Sequence, residues 1–448
     1  MCAIVGIYGN DNAARLASLA LFSMQHRGQE ATGISSSCEG KIYTKKNSGL
    51  VSEVFTDEAL KYLKGDMAIG HNRYSTAGSD SILDAQPVFA KYSLGEISIV
   101  HNGNLINKEE VRQELIDNGA IFQTGMDTEN LIHLIAKCKE GRLRDRITSA
   151  LEKTIGAYCF IIQSRNKQFV IRDRYGIRPL SLGKLKTGGY IVASETCAFE
   201  LVDAEFVRDI NPGEMLIFSK KAEPESIQLF EPEFRPCAFE YVYFARPDSE
   251  IDGKNVYNTR ENMGKTLAQN DKSNNIKADM VIPVPDSGVP AALGYAQESG
   301  IDFKYGIIRN HYVGRTFIEP TQEMRNMKVK MKLSPMRSLI KGKSLLVIDD
   351  SIVRGTTSKR IVRMLKEAGA KEVHFRVASP EIKFPNFYGI DTPSKEELIS
   401  HRMTKDEICE YIEADSLEYL SIDDLVSSIG NGRNYALESF DGDYFVTK

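Results

Sequence analysis

From about residue 275 the chain repeats strand, loop, helix and strand, and few folds accept that rhythm. Met280-Val281-Ile282-Pro283-Val284 is an apolar strand that runs into a Pro/Asp/Ser/Gly turn and a helix beginning near Pro290. Ser344–Ile348 is another, followed by Asp349-Asp350, a helix over about Thr356–Ala368 and the stop residue Gly369. Glu372–Ala378 supplies the next strand. Parallel neighbours need a crossover of a dozen or more residues, usually a helix, so this half is expected to be α/β with a parallel sheet.

The first half follows a different rule. Ile4–Tyr8, Ala68–His71 and Ile97–His101 are short apolar or alternating runs, and Tyr158–Ile162 with Gln168–Arg172 reads as a hairpin across Ser164-Arg165-Asn166-Lys167. Helices are expected over Asp11–Met24, Lys108–Asn118 and Thr128–Cys138. Strand runs with helices grouped between them suggest an α+β layered domain. The Pro- and Glu-rich segment Lys220–Pro236 is the expected linker, giving domains over 2–230 and 231–448. A chain of 448 residues is too long for one ordinary core, which agrees.

Composition excludes several classes. With 42% hydrophobic and 26% charged residues and a net charge of -4, nothing points to disorder, nucleic acid or a membrane surface. No apolar run approaches 18 residues and the start lacks a basic n-region, so a cytoplasmic location is expected. The seven cysteines (2, 38, 138, 159, 197, 237 and 409) form no CxxC pair, which argues against a disulfide framework or a zinc ribbon.

Cys2 stands apart, because it becomes the first residue once the initiator methionine is removed. Its thiol would then carry its own base, an α-amino group whose reference pKa is about 7.7–8.0. Three further stretches could complete an acyl-transfer site. His71-Asn72-Arg73-Tyr74-Ser75-Thr76-Ala77-Gly78 ends a strand with a guanidinium suited to a carboxylate. His101-Asn102-Gly103-Asn104 can aim a side-chain NH₂ and a backbone N–H at one oxygen. Gly125-Met126-Asp127-Thr128-Glu129 puts a carboxylate at a turn, able to hold an ammonium. Singly, Arg73 reads as a surface ion-pair residue, Asn102-Gly103 as a plain turn and Asp127 as a helix N-cap. Together with Cys2 and Gln25-His26-Arg27-Gly28-Gln29, the set resembles the glutaminase domain of class II, N-terminal-nucleophile amidotransferases over about the first 220 residues. That resemblance implies a four-layer αββα fold. It implies Cys2 as nucleophile, Arg73 on the glutamine carboxylate, Asp127 on its amine, and Asn102 with Gly103 as oxyanion hole.

Val347 to Ser358 joins a strand, two carboxylates, a Gly-containing loop and hydroxyl residues opening a helix. A helix start with free N–H groups and Thr/Ser hydroxyls suits a phosphate, while Asp349-Asp350 suits a ribose diol or a hard cation such as Mg²⁺. The run is similar to the fingerprint of type I phosphoribosyltransferases, which bind 5-phosphoribosyl pyrophosphate (PRPP). By that likeness Asp349, Asp350, Ser351, Arg354, Gly355, Thr356, Thr357 and Ser358 bind PRPP, and Asp349, Asp350 and Ser287 (in Pro283-Val284-Pro285-Asp286-Ser287-Gly288) touch Mg²⁺. Arg309–Lys332 carries six Arg/Lys against two Glu, and its centre, with Arg315 and Thr316, resembles the loop that closes over PRPP.

A class II glutaminase fused to a PRPP-dependent transferase implies a two-step reaction. Cys2 forms a γ-glutamyl thioester and releases ammonia; ammonia then displaces pyrophosphate from C1 of PRPP. The products are 5-phosphoribosylamine, pyrophosphate and glutamate, the first committed step of de novo purine (IMP) synthesis. Tyr257 matches a residue along the ammonia passage, with a core tyrosine as the competing reading. The resemblance also implies purine nucleotides as feedback inhibitors and a homo-oligomer, dimer or tetramer. Some members hold a 4Fe–4S cluster and begin with a propeptide. Here Cys237 keeps the first ligand position, Asn386 takes the second and the tail from Asn434 to Glu438 has no CxxC, so no cluster is expected, nor is a propeptide. Other class II synthases would need a sugar isomerase or an ATP pyrophosphatase half, and a PRPP-sensing regulator would have no use for Cys2, Arg73, Asn102 and Asp127 together.

Overall fold

The structure is a computed structural model and describes residues 1–74, 82–139, 141–219, 223–272, 276–311, 332–390, 392, 394–430 and 434–446. Two antiparallel sheets dominate the first half. One has seven strands in the order Ala204–Asp209, Ser181–Leu185, Tyr190–Ala193, Ala3–Tyr8, Met67–Arg73, Ala31–Cys38 and Lys41–Ser48. The other has six, in the order Glu225–Gln228, Glu214–Ser219, Lys167–Arg172, Gly156–Gln163, Gly95–Leu105 and Val88–Tyr92.

Period-two alternation stacks these sheets and clothes them in helices. Ile4 and Tyr8 point between the sheets, where they meet Cys159, Ile161 and Val170 of the other sheet. Their neighbours Ala3, Val5 and Ile7 face the helix Ala13–Ser23. On the second sheet Phe160 and Ile162 turn outward to the helices Asp127–Lys137 and Leu143–Leu151. The result is the expected four layers, helix–sheet–sheet–helix. The expected hairpin is present with Gln163 opposite Gln168, and the three expected helices run over Ala13–Ser23, Lys108–Asp117 and Asp127–Lys137.

The expected linker is not all linker. Glu225–Gln228 is an edge strand paired antiparallel to Glu214–Ile217, so part of its Pro- and Glu-rich composition belongs to an exposed edge, where charge discourages further pairing. Past it the chain folds into a parallel sheet in the order Met280–Pro283, Ser344–Asp349, Glu372–Val377 and Ser416–Tyr419. Leu345, Leu346, Val347 and Ile348 of the central strand are all fully buried, as expected of a strand covered on both faces.

One face of this sheet shares its core with the first half: Met1, Ala157 and Ile177 pack in the same apolar cluster as Leu346, Ile348, Ala378 and Tyr388. Beside it lies a buried ionic knot. Arg27 donates to Glu195 at 2.5 Å and to both oxygens of Glu240 at 3.0 and 2.9 Å, and Arg178 adds a 3.3 Å contact to Glu240. All four side chains are at most 1% exposed. Buried charges survive only when paired and hydrogen-bonded, and here each one is.

Candidate active sites

The first site grows from strand register. Ala3 pairs with Asn72, which sets Cys2 at the level of Arg73. The Cys2 thiol lies 3.8 Å from the Tyr74 carbonyl, and the Cys2 carbonyl accepts from Arg27 Nε at 2.9 Å. Burial pushes the Cys2 thiol up; the neighbouring amino terminus, the Tyr74 contact, Arg73 and Arg27 pull it down without reversing the shift. Met1 is in place here, so the free amine is its own, pushed down to about 5 chiefly by burial. The Cys2 nitrogen is then an amide, which cannot serve as a base.

Arg73 is 5% exposed and reaches Asp84 at 3.8 Å, while the other Asp84 oxygen accepts the Gly125 N–H at 2.9 Å. Asp84 thus ties the strand bearing Arg73 to the turn bearing Asp127, a role that no local pattern announced. The Asp127 carboxylate faces His101 Nδ1 at 3.1 Å and the Leu105 N–H at 3.0 Å. Burial alone would raise its pKa; His101 and the Leu105 amide outweigh that and hold it low. Asp127 is the first residue of its helix, not the cap, which is Met126. Two oxygens carry about four acceptor positions, so an ammonium can still be accommodated.

Asn102 and Gly103 lie on the strand Gly95–Leu105, opposite Cys159 and Tyr158. Asn102 is fully buried, and neither its Nδ2 nor its Oδ1 has a hydrogen-bond partner among the described residues. A buried amide left without a partner costs about 1–3 kcal/mol, and it is what a site awaiting a substrate oxygen requires. Gly103 has φ +149, and a Cβ there would sit 2.0 Å from the Ala157 carbonyl oxygen, so no other residue fits. Across the stack, His71 is held neutral: burial, with His101 and Arg73 adding to it, pushes it down to about 3. Ser75–Gly78 of the Arg73 stretch lie outside the described residues.

The second site sits where the parallel strands end. Asp349 and Asp350 are 6% and 7% exposed at the end of the central strand, and the adjacent loop delivers half-buried Ser287, with Val284 N–H donating to the Ile348 carbonyl at 2.8 Å. Ser351 Oγ donates to Asp350 at 2.6 Å and the Asp350 N–H to Asp349 at 3.0 Å. Burial, then the charge of Asp350, pushes Asp349 well above its ordinary value of 3.8. Two adjoining buried carboxylates with neutral donors fit a hard cation or a diol.

Gly355 precedes the helix Thr356–Glu367 with φ +73, and a Cβ there would come within 2.6 Å of Ile399 Cδ1. The turn leaves Thr356 and Thr357 exposed at the helix start with Ser358 buried behind them. Arg354 is exposed and pairs with Glu397 at 3.1 Å. Arg315 and Thr316 lie outside the described residues. Tyr257 is half-buried in the first turn of the helix Val256–Asp271, its N–H donating to the Pro247 carbonyl at 2.9 Å. One turn on, buried Arg260 donates to the Tyr241 and Ala245 carbonyls at 2.7 and 2.8 Å, which fastens this helix to the segment carrying Glu240.

At Asn386, which the resemblance aligns with a cluster ligand, Nδ2 donates to buried Glu438, whose carboxyl is pushed up to about 7 by burial. Cys237 and Ala436 form an isolated bridge. No group of three or more His, Cys, Asp or Glu with metal-ligand geometry occurs among the described residues.

Comparison with known proteins draws both sites into one enzyme class. Residues 71–200 match the glutamine amidotransferase domain family, and residues 253–399 the phosphoribosyl transferase domain family. Amidophosphoribosyltransferase 2 of Arabidopsis thaliana is 48% identical, over 99% of this chain and 79% of its own. The amidophosphoribosyltransferase of Bacillus subtilis is 46% identical over 96% of this chain and 90% of its own. A solved structure of glutamine PRPP amidotransferase from B. subtilis, complexed with ADP and GMP, superposes with a TM-score of 0.93 at 44% identity, covering 100% of this chain and 98% of that one.

Proposed function

The chain belongs to the amidophosphoribosyltransferase family, and from that premise we propose how its own residues divide the work. The enzyme transfers ammonia from glutamine to C1 of PRPP, giving 5-phosphoribosylamine, pyrophosphate and glutamate, the first step of purine synthesis. In our reading residues 2–230 are the glutaminase and 231–448 the transferase. Removal of Met1 frees the Cys2 amine, which takes the thiol proton as sulfur attacks the glutamine carboxamide carbon. Arg73 grips the substrate carboxylate and Asp127 its ammonium. The tetrahedral oxygen falls to Asn102 Nδ2 and the Gly103 N–H. Collapse returns the proton to nitrogen, expels ammonia and leaves a thioester that water opens to glutamate.

Ammonia is mostly protonated in neutral water, so a shielded path past Tyr257 preserves the nucleophile. At the second site the loop Ser351–Ser358 takes the 5′-phosphate on its N–H groups and hydroxyls. Asp349 and Asp350 hold the ribose, and with Ser287 they would hold Mg²⁺, which supplies charge neutralisation for the pyrophosphate. Binding of purine nucleotides as feedback inhibitors, supported by the ADP and GMP of the B. subtilis complex, homo-oligomer formation and a cytoplasmic location complete the proposal. Among the described residues no helix is long and apolar enough to cross a membrane.

The observation that carries this reading is the buried Asn102 amide, without a partner among the described residues, beside Gly103. Its test is Cys2→Ala: glutamine-driven turnover should vanish while pyrophosphate release with ammonium salt persists. Loss of both would show that the two halves do not divide the chemistry in this way.

A further inference from the structure

We propose that the loop Asn386–Ile390 of the transferase half forms the outer wall of the oxyanion site, and that Gly389 is a positioning residue for Gly103. This rests on the roles just given to Asn102 and Gly103. Gly389 has φ +103, and a Cβ built on it would lie 2.9 Å from both Gly103 Cα and its carbonyl carbon, and 3.2 Å from its oxygen. Backbone therefore lies directly on backbone across the domain joint. Gly103 is also wedged against Ala157 of the neighbouring strand, so the strand carrying the oxyanion donor is bounded both by its own sheet and by a loop from the other domain.

That loop is rigidly staked. Asn386 Oδ1 accepts the Tyr388 and Ile390 N–H groups at 2.8 and 3.1 Å. The Tyr388 hydroxyl accepts the Val446 N–H at 3.0 Å, and the Tyr444 hydroxyl donates to Pro385 at 2.6 Å. The glutaminase half grips it in turn: Asn104 Nδ2 donates to the Phe387 carbonyl at 2.8 Å and Arg178 Nε to the Tyr388 carbonyl at 3.0 Å. The loop also follows the strand Glu372–Val377, which pairs with the strand ending in Asp349. A carbonyl-carbon reaction needs its donors placed to a fraction of an ångström, and a 1 Å error costs about 10²-fold. A loop locked on both sides supplies that constraint.

The test uses the full-length enzyme with Gly389→Ala and, since a left-handed glycine is at stake, the gentler Asn104→Ala, which removes only the Phe387 contact. Gly389→Ala should lower kcat for glutamine hydrolysis by about 10- to 100-fold with KM within about threefold, while ammonia-driven pyrophosphate release stays within about twofold. Asn104→Ala should show the same pattern at about three- to tenfold. Glutamate γ-semialdehyde, whose aldehyde adds the Cys2 sulfur and proton across its C=O to give a tetrahedral adduct, should bind more weakly by the same factors as kcat falls. Unchanged glutamine rates in both variants, or equal losses in the glutamine and ammonia reactions, would overturn the proposal. Asn102→Ala separates it from its premise: if that variant hydrolyses glutamine at the wild-type rate, the oxyanion assignment itself is wrong, whatever Gly389→Ala does.

Discussion

The two catalytic regions solve charge in opposite ways. Around Cys2 the carboxylates are already balanced by the protein: Glu195, though buried, is held well below the ordinary range by His26 and Arg27, and Asp127 is held low by His101 and the Leu105 amide. At the end of the central parallel strand Asp349 is instead pushed up, because burial and then the Asp350 carboxyl press on it, while the Asp350 N–H pulls only weakly the other way. The glutaminase end is organised by the chain alone. On the roles proposed above, the transferase end would reach its working charge when substrate and cation arrive.

Breaking that contrast begins with Asp350→Asn, the largest expected effect. Both glutamine- and ammonia-driven pyrophosphate release should fall by about 10³-fold, on the order of the loss when one group that stabilises developing charge is removed, while slow glutamate release persists. A pyrophosphate assay run beside a glutamate assay decides it, and loss of both signals would mean that the glutaminase end is not self-sufficient. Asn102→Ala is next: kcat for glutamine should drop by about 10²- to 10³-fold, the usual cost of one oxyanion donor, with the ammonia reaction nearly intact. Steady-state rates on the two nitrogen sources read this directly.

Smaller effects sharpen the same contrast. Gly355→Ala puts a side chain at φ +73 and against Ile399, a strain of about 1–3 kcal/mol that should appear as a lower urea midpoint and weaker PRPP binding by calorimetry. The smallest concerns pH. A folded pKa raised above the unfolded value means that the native state binds the Asp349 proton more tightly. Its stabilising share is complete below pH 3.8 and is lost as pH rises through the raised folded value. Without ligand, Asp349→Asn should therefore melt above the wild type at pH 7, with the gap closing toward pH 4; thermal melts across that range, with and without Mg²⁺ and PRPP, check it. No gap at pH 7 would mean that the acid pair is already neutralised by the protein.

Features written in consecutive residues were legible in the sequence. Val347 to Ser358 announces strand, acid pair, glycine turn and helix because each part has a local preference, and the structure has the strand Ser344–Asp349 and the helix Thr356–Glu367 there. The short apolar run Ile4–Tyr8 likewise reads as a strand, and the structure has one over Ala3–Tyr8. What escaped depends on distant partners. Arg27 meets Glu240 across 213 positions and Arg178 meets Tyr388 across 210, and a buried arginine looks no different from a surface one in sequence. Asp84 is a lone acid until folding sets it between Arg73 and Gly125. Glu225–Gln228 looked like linker because a four-residue edge strand with one half-buried apolar residue, Ile227, carries little apolar signal.

The apolar cluster that holds Ala157 and Ile177 with Leu346 and Tyr388 makes this enzyme hard to dissect. Severed at the boundary, either piece would show water a greasy scar where its neighbour had been, and would clump before it could be assayed. Recombining parts from different relatives should succeed only when that shared seam travels with the graft.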